Sequence, residues 1–214
     1  MLSANGQVLE RLLKGEFICR TSDEDSWRLL KNPHYREQIE SHLNVLNRTV
    51  GESGSGSDSE VFFCGYQTLG DAERKVVSAQ FKEIVNSLIP LSQWLMLVQE
   101  AEGNDTPLTE GVPIRLNEIQ TTIEETPALR EELAKLSHFR LFGSQSAMVE
   151  GQIKQIFKRL VELGYLLRPN PEKQHYIATG KIDYLYEVIR FINETEALDL
   201  EAHAEAASAQ GSLL

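Results

Sequence analysis

Five basic side chains lie close together in the C-terminal half of this sequence. Lys154, Lys158 and Arg159 lie on or beside the polar face of a predicted helix, and Arg168 and Lys173 flank the turn that follows it. Lysine and arginine supply the sequence-independent part of DNA affinity through contacts with phosphates. These five residues are therefore the candidate DNA-binding site.

A solvated helix surface explains the same residues equally well. Glu150 precedes Lys154 by four residues, and Lys158 precedes Glu162 by four, as on many exposed helices. Both interpretations stay open. The stretch lacks the set of Asn, Gln and Arg side chains that would indicate base reading, so any DNA contact is expected to be non-specific. In the first half of the chain, Arg36 and Arg48 lie on the polar side of the helix predicted from Pro33, and Lys31 precedes it. They could touch a DNA backbone, but Glu37 and Glu40 dilute the positive charge of that face and favour a solvated surface.

The sequence contains no pattern that indicates metal binding, cofactor binding or catalysis. The histidines, at positions 34, 42, 138, 175 and 203, never join Cys, Asp or Glu at the spacing of zinc ligands. Cys19 and Cys64 are interpreted as small buried side chains in a reducing cytosol. No nucleophile elbow, dinucleotide fingerprint or phosphate-binding loop is present, so we expect no cofactor, no metal and no enzymatic activity.

The candidate site needs a helix and a hairpin to position it. Apolar residues recur at helical spacing at Val149, Ile153, Ile156, Phe157, Leu160 and Leu163, and Gly164 can end the helix. Residues 165–168 and 174–178 are prone to form strands, with a Pro-rich turn between them. A helix followed by a β-hairpin is the second half of a winged helix-turn-helix.

The first seventy residues predict an earlier unit of the same kind. The pattern predicts a short helix ending near Gly15, a strand over residues 16–20 and a helix capped by Ser22. Asn32 and Pro33 begin a further helix, whose apolar stripe is predicted to be Tyr35, Ile39, Leu43, Leu46 and Val50. Residues 51–59 predict a flexible wing tip, followed by a strand over residues 61–66.

The remainder predicts a connector, a second unit and a tail. Residues 71–111 form a helical connector with a break or kink at Pro90 and a loop over 101–111. Residues 112–198 form the second unit, with a strand at 112–116, a helix capped by Asn117, a helix beginning at Pro127 and a closing helix over 181–194. Residues 199–214 are predicted to be disordered. The predicted fold class is mainly α with small β wings (α+β), as tandem winged helix-turn-helix domains.

Composition favours a protein partner. The formal charge is −11 and the pI is about 5.0, so the chain as a whole is repelled by a polyanion. No apolar run is long enough to span a bilayer, and the N-terminus lacks the pattern of a signal peptide. A cytoplasmic protein with no membrane partner is the expectation.

The combination of two predicted winged-helix units in tandem, an acidic charge and no enzymatic motif resembles the kleisin-interacting subunits of bacterial condensins, in particular the MukE and MksE family. The residues that carry the resemblance are the segment GEFICR before the helix at 23–30, the VFF strand after the first wing, and FKRLVELGYL leading into the second wing, beginning at positions 15, 61 and 157. The resemblance covers about residues 8–198.

The resemblance implies a homodimeric, non-catalytic subunit associated with the nucleoid. Such a subunit binds a kleisin and, through it, an SMC-type ATPase, in chromosome organisation and segregation or in defence against plasmids. It also implies a surface that contacts DNA non-specifically. The alternative is a winged-helix transcription regulator that places the helix at 149–163 in the major groove.

Overall fold

The computed structural model describes residues 3–54, 60–103 and 106–211. These residues are mostly helical and carry two small antiparallel sheets, so the fold class is α+β. The elements in chain order are α1 Ala4–Leu13, α2 Glu24–Lys31, α3 Pro33–Asn44, β1 Arg48–Ser53, β2 Val61–Tyr66, α4 Asp71–Glu102, β3 Pro113–Arg115, α5 Leu116–Glu125, α6 Pro127–Ser137, α7 Val149–Glu162, β4 Leu166–Leu167, β5 His175–Ala178 and α8 Gly180–Gly211.

Short polar side chains begin the first three helices. Ser3 accepts a hydrogen bond from the Gly6 amide, and Asn32 accepts one from the His34 amide beside Pro33. The predicted cap of α2 was one residue early. Asp23, and not Ser22, accepts from the Ser26 amide, because the Ser22 hydroxyl is used by the amide of Cys19.

The first core surrounds the hairpin of β1 and β2. The two strands pair from Arg48 opposite Tyr66 to Ser53 opposite Val61. The strand predicted over residues 16–20 is reduced to one bridging residue, Ile18, which exchanges backbone hydrogen bonds of 2.9 and 2.8 Å with Phe62. The buried residues are Val8, Leu12, Ile18, Leu30, Ile39, Leu43, Val50 and Phe62.

The predicted stripe of α3 extends too far. The helix ends at Asn44, Leu46 is 57% exposed, and Val50 enters the core from β1. Asn47, at a φ of 57°, makes the left-handed turn between helix and strand, and asparagine tolerates that conformation well. Residues 51–53 of the predicted wing tip belong to β1, and residues 55–59 lie outside the described part of the chain.

The connector helix α4 runs for 32 residues and continues through Pro90, where the sequence predicted a break or kink. None of residues 71–89 is buried. From Pro90 onwards one side of the helix is covered, at Leu91, Trp94, Leu95, Leu97, Val98 and Ala101. The C-terminal half of the predicted connector therefore belongs to the second core. The first two residues of the predicted loop, Ala101 and Glu102, belong to α4, and Gly103 is the left-handed cap of that helix.

The second core is formed by the helices from α4 to α8 together with a three-stranded sheet, whose strand order is β3-β5-β4. Ile153, Ile156, Phe157 and Leu160 of α7 are buried as the stripe predicted, and Gly164 follows with a φ of 79°. The helix α6 begins at Pro127 as predicted. Asn117 is not a cap, because α5 already begins at Leu116 with Arg115 as its N-cap residue.

The closing helix α8 is longer than predicted. It extends from Gly180 to Gly211, so residues 199–211, predicted to be disordered, continue the helix, while residues 212–214 lie outside the described chain. The sequence after residue 194 has no apolar stripe, but it is rich in Ala, Glu and Leu. These residues have high intrinsic helix propensity, and this local preference favours the helix without an apolar stripe.

The two cores contact each other where α8 begins. The Thr21 amide donates to Glu110 Oε1 (2.8 Å), and the Gly180 amide donates to Cys19 Sγ (3.3 Å). The Ser53 hydroxyl donates to the Glu187 carboxylate. The rings of Phe17, Phe63 and Tyr184 lie 4.9 to 5.4 Å apart, and each neighbouring pair is tilted.

Candidate nucleic-acid interface

A groove separates α7 from the strand β5 in the second half of the chain. Its volume is about 450 Å³. Leu116, Val161 and Tyr176 supply apolar surface, and Tyr176 is 4% exposed. Lys154, Lys158 and Arg168 lie at the same groove together with Glu162 and Gln174. Three of the five basic residues predicted from the sequence are thus brought to one groove.

The two lysines come from successive turns of α7. Their side chains are 44% and 69% exposed, since the apolar face of the amphipathic helix is occupied by the core. Lys154 pairs with Glu150, which lowers the pKa of that carboxyl group, and Lys158 Nζ lies 3.8 Å from Glu162 Oε1. Exposed pairs of this kind contribute about 0–1 kcal/mol each, so a phosphate can exchange with the carboxylate at little cost.

Arg168 is held rigidly by the turn between β4 and β5. Its Nε donates to the Lys173 carbonyl (3.0 Å) and its Nη2 to the Pro171 carbonyl (2.6 Å). Its guanidinium carbon lies 5.6 Å from the centre of the Tyr176 ring. Arginine has five N–H donors, and two hydrogen bonds leave several of them for a ligand. Arg168 therefore presents a fixed charge at the end of the groove.

Lys173 lies at a neighbouring cavity of about 530 Å³. That cavity is lined by Arg115, Asn117, Glu118, Glu172, Lys173, Gln174 and His175, so two basic residues are matched by two acidic ones. The groove with Lys154, Lys158 and Arg168 has only Glu162 among its lining acids. The excess of positive charge is therefore at the groove beside α7, and Lys173 extends its edge.

Arg159 does not line the groove, although it shares the carboxylate of Glu162 with Lys158. Its Nε donates to the Leu141 carbonyl (3.2 Å), and its guanidinium pairs with Glu162. Five residues after Lys154 on an α-helix correspond to a rotation of about 140°, which directs Arg159 towards the segment before α7. Arg159 braces that segment and does not line the groove.

Gln174 and Tyr176 are groove residues that were not predicted. Gln174 lines both cavities, and its Oε1 is buried with no hydrogen-bond partner in the described part of the molecule. Alternation along a strand puts positions 174 and 176 on one face, and this signal was available from the sequence. That this face borders α7 depends on the pairing of β5 between β3 and β4.

The basic residues of the first half are engaged within the molecule. Lys31 lies 2.8 Å from a Glu60 carboxylate oxygen and 4.9 Å from the Trp27 ring centre. Arg36 hydrogen-bonds Glu40 (3.2 Å) and Glu52 (2.5 Å). Burial lowers the pKa of Arg36, but the hydrogen bonds and charges of the two glutamates together outweigh burial, so its pKa is raised. The Arg48 guanidinium stacks 3.7 Å from the Tyr66 ring centre.

The described residues offer no grouping of three or more His, Cys, Asp or Glu side chains that could hold a metal. Burial raises the pKa of the Cys19 and Cys64 thiols, which makes both poor nucleophiles at neutral pH. Within the described chain, no helix combines the length and apolarity needed to cross a membrane.

No protein-family model matches the chain, and no curated protein matches it significantly.

Proposed function

We propose that this chain is a tandem winged-helix protein that acts as a non-catalytic accessory subunit of an SMC-type bacterial condensin. It binds the kleisin subunit and contacts DNA non-specifically, in chromosome organisation and segregation or in defence against plasmids. Its location is the cytoplasm, at the nucleoid. The proposal is carried by one observation, the repeated arrangement of elements in the two halves.

In each half, a first helix is followed by an extended segment, further helices and a hairpin, and the first extended segment pairs with the last strand. Ile18 bridges Phe62 of β2 in the first half, and β3 pairs with β5 in the second. This order and pairing supports the proposal of two winged helices, with β1–β2 and β4–β5 as the wings. A 32-residue helix follows each hairpin, α4 after the first and α8 after the second.

The extra helix α6 distinguishes the second half from the first. It packs between α5 and α7, with Leu129, Leu133 and Leu136 buried. The repeat is therefore one of element order and pairing. The proposed tandem winged helices, the acidic charge and the resemblance of three short segments to the MukE and MksE family support a docking role.

The groove beside α7 supplies the DNA contact in this proposal. Three basic groups support backbone binding that is weak and sensitive to salt, because each phosphate contact releases condensed counterions. Within a complex that already holds the duplex, a weak contact is sufficient, since tethering raises the effective concentration.

Co-expression with the kleisin-like protein encoded in the same gene neighbourhood tests the proposal. The expected result is a complex that persists through size-exclusion chromatography at physiological salt and contains both chains. A kleisin without its central linker is the matched control and should elute separately from this chain. A well-folded chain that forms no complex with any neighbouring kleisin contradicts the proposal.

The transcription regulator remains the second candidate because α7 exposes two lysines one turn apart. It requires nanomolar binding to one sequence over random DNA at physiological salt. Binding that is uniform across sequences and lost at moderate salt favours the condensin subunit.

A further inference from the structure

The exposed N-terminal half of α4 carries a coiled-coil seam. Apolar residues occur along the helix at alternating spacings of four and three, which is the heptad pattern of positions d and a. The full set is Val77, Phe81, Ile84, Leu88, Leu91, Leu95 and Val98. The last three are buried in the second core, whereas none of the first four is buried.

The first four positions, which we call the open seam, are largely uncovered in the described structure, and only Leu88 packs partly against the second core. Phe81 is 41% exposed and Val77 37%, and the neighbouring Val85 and Ile89 are 42% and 63% exposed. Helices in proteins gain most of their stability by packing an apolar face against the rest of the structure. The heptad spacing specifies another helix as the cover.

The flanks of the open seam fit an identical helix. The flanking positions e and g are Ser78, Gln80, Val85 and Ser87, none of which is charged. Like charges at these positions are the usual means of rejecting self-pairing, and opposite charges the usual means of selecting a different partner. Residues 71–89 also contain three acidic and three basic side chains, so this segment is neutral in a chain of charge −11.

Antiparallel pairing covers the whole open seam. With the twofold axis between Phe81 and Ile84, Phe81 meets Ile84 of the second copy and Val77 meets its Leu88. The second core surrounds α4 from Leu91 onwards, so a parallel pair would bring two such bodies to the same end. Antiparallel pairing puts the second cores of the two copies at opposite ends of the helix pair.

We propose that a second copy of this chain packs antiparallel on the open seam of α4. The resemblance to condensin subunits implies a dimer but does not identify the surface that forms it. The surface proposed here is inferred from α4 alone and depends on neither the kleisin nor the DNA contact. The apolar surface continues from Leu88 and Ile89 into a cavity of about 260 Å³ between α4 and α8, beside Met96 and Ile192. The contact area can thus extend beyond the seam itself.

Sedimentation equilibrium of the full chain tests the proposal. Wild-type protein is expected at twice the chain mass of 24.2 kDa, and Phe81→Glu with Ile84→Glu should weaken the dimer by about 100-fold or more. Neither residue belongs to a buried cluster, and glutamate is a good helix former, so the variant keeps its fold. The control Ala79→Glu with Asn86→Glu adds the same charge on the opposite, exposed face and should remain dimeric.

Cysteine cross-linking gives a second measurement that does not depend on disrupting the helix. In a Cys64→Ser background, Phe81→Cys on one tagged copy and Ile84→Cys on another should form a disulfide when mixed, faster than either variant alone. A monomeric wild type, a dimer that survives the seam substitutions, or preferential Phe81→Cys self-linking each overturns the proposal. If the chain forms the dimer but binds neither kleisin nor DNA, the proposed function is overturned and the proposed dimer interface is not affected.

Discussion

At the scale of single residues, Lys181 connects the two halves of the molecule. Its Nζ donates to the Leu163 carbonyl (2.8 Å) and lies 4.7 Å from the Phe17 ring centre and 4.9 Å from that of Tyr165. Burial lowers the pKa of Lys181 to about 8 and raises that of Tyr165 to about 12. The two rings and the carbonyl favour the charged amine, which opposes the effect of burial.

The Lys181 amine gives stability a specific pH dependence. The unfolded chain holds the proton up to a pKa of 10.5, whereas the folded chain releases it near 8. The unfolded state therefore binds more protons between these values, so the free energy of unfolding rises with pH across this window, by about 1–3 kcal/mol in total.

Chemical denaturation of Lys181→Met from pH 7 to pH 10 measures this contribution. The free energy of unfolding should rise with pH in the wild type, and the contribution of Lys181 to this rise should be missing in the variant. Lys14→Met is the control, because the Lys14 side chain is 66% exposed, and its curve should stay parallel to that of the wild type. Parallel curves for all three proteins would contradict the assignment to Lys181.

The groove lysines can be tested in the same way. Lys154→Gln with Lys158→Gln should weaken binding to a random DNA fragment and reduce the slope of log K against log salt by about 2, because two phosphate contacts are lost. Arg130→Gln with Lys135→Gln on α6 removes equal charge from exposed positions outside the groove and should leave the slope unchanged. If both pairs of substitutions have equal effects, Lys154 and Lys158 belong to an ordinary solvated surface and not to a DNA-binding site.

Arg159 marks the limit of prediction at this scale. Helical spacing placed Lys154, Lys158 and Arg159 on or beside one polar face, and it predicted the buried face of α7 correctly. It did not reveal that the Leu141 carbonyl lies within hydrogen-bond distance of Arg159. That contact depends on the path of residues 138–148, which have no periodic pattern to indicate it.

At the scale of elements, α8 packs its first residue against β2. A Cβ atom on Gly180 would lie 2.6 Å from Val61 Cγ2 and 3.0 Å from Cys19 Cβ, so only glycine allows this approach. Because Val61 and Cys19 belong to the first half, the contact also holds the two halves together.

Gly180→Ala should therefore lower the free energy of unfolding, by about 1–2 kcal/mol after the gain in helix propensity is included. Gly65→Ala is the matched control, since its Cβ would meet Thr49 at an ordinary 3.6 Å, and it should change stability by less than about 0.5 kcal/mol. Urea denaturation measures both. A Gly180→Ala protein as stable as the wild type would mean that α8 can shift without cost.

Elements with strong local signals were predictable. Proline at the first position gave the starts of α3 and α6, and a short apolar run gave β2. The errors arose where tertiary context competes with a local rule. Ser22 lost the cap to Asp23 because its hydroxyl serves Cys19, and Pro90 did not end α4, whose following residues are covered by the second core.

At the scale of the whole molecule, the contrast between net charge and local charge organises the functional interpretation. A charge of −11 opposes free association with DNA, whereas the groove beside α7 is lined by three basic groups and one carboxylate. The exposed half of α4 is neutral. Each proposed contact thus uses a region whose charge departs from that of the chain as a whole.

The division of α4 between two environments decides where the polypeptide can be cut. A fragment starting at residue 112, where the sequence predicted the second unit to begin, would lose Leu91, Trp94, Leu95, Leu97 and Val98 from its interior. Such a fragment would expose the complementary surface of α5 and α6 and is expected to aggregate. A protease that nicks the uncovered turns of α4 before Pro90 would instead release a C-terminal piece that retains its entire interior.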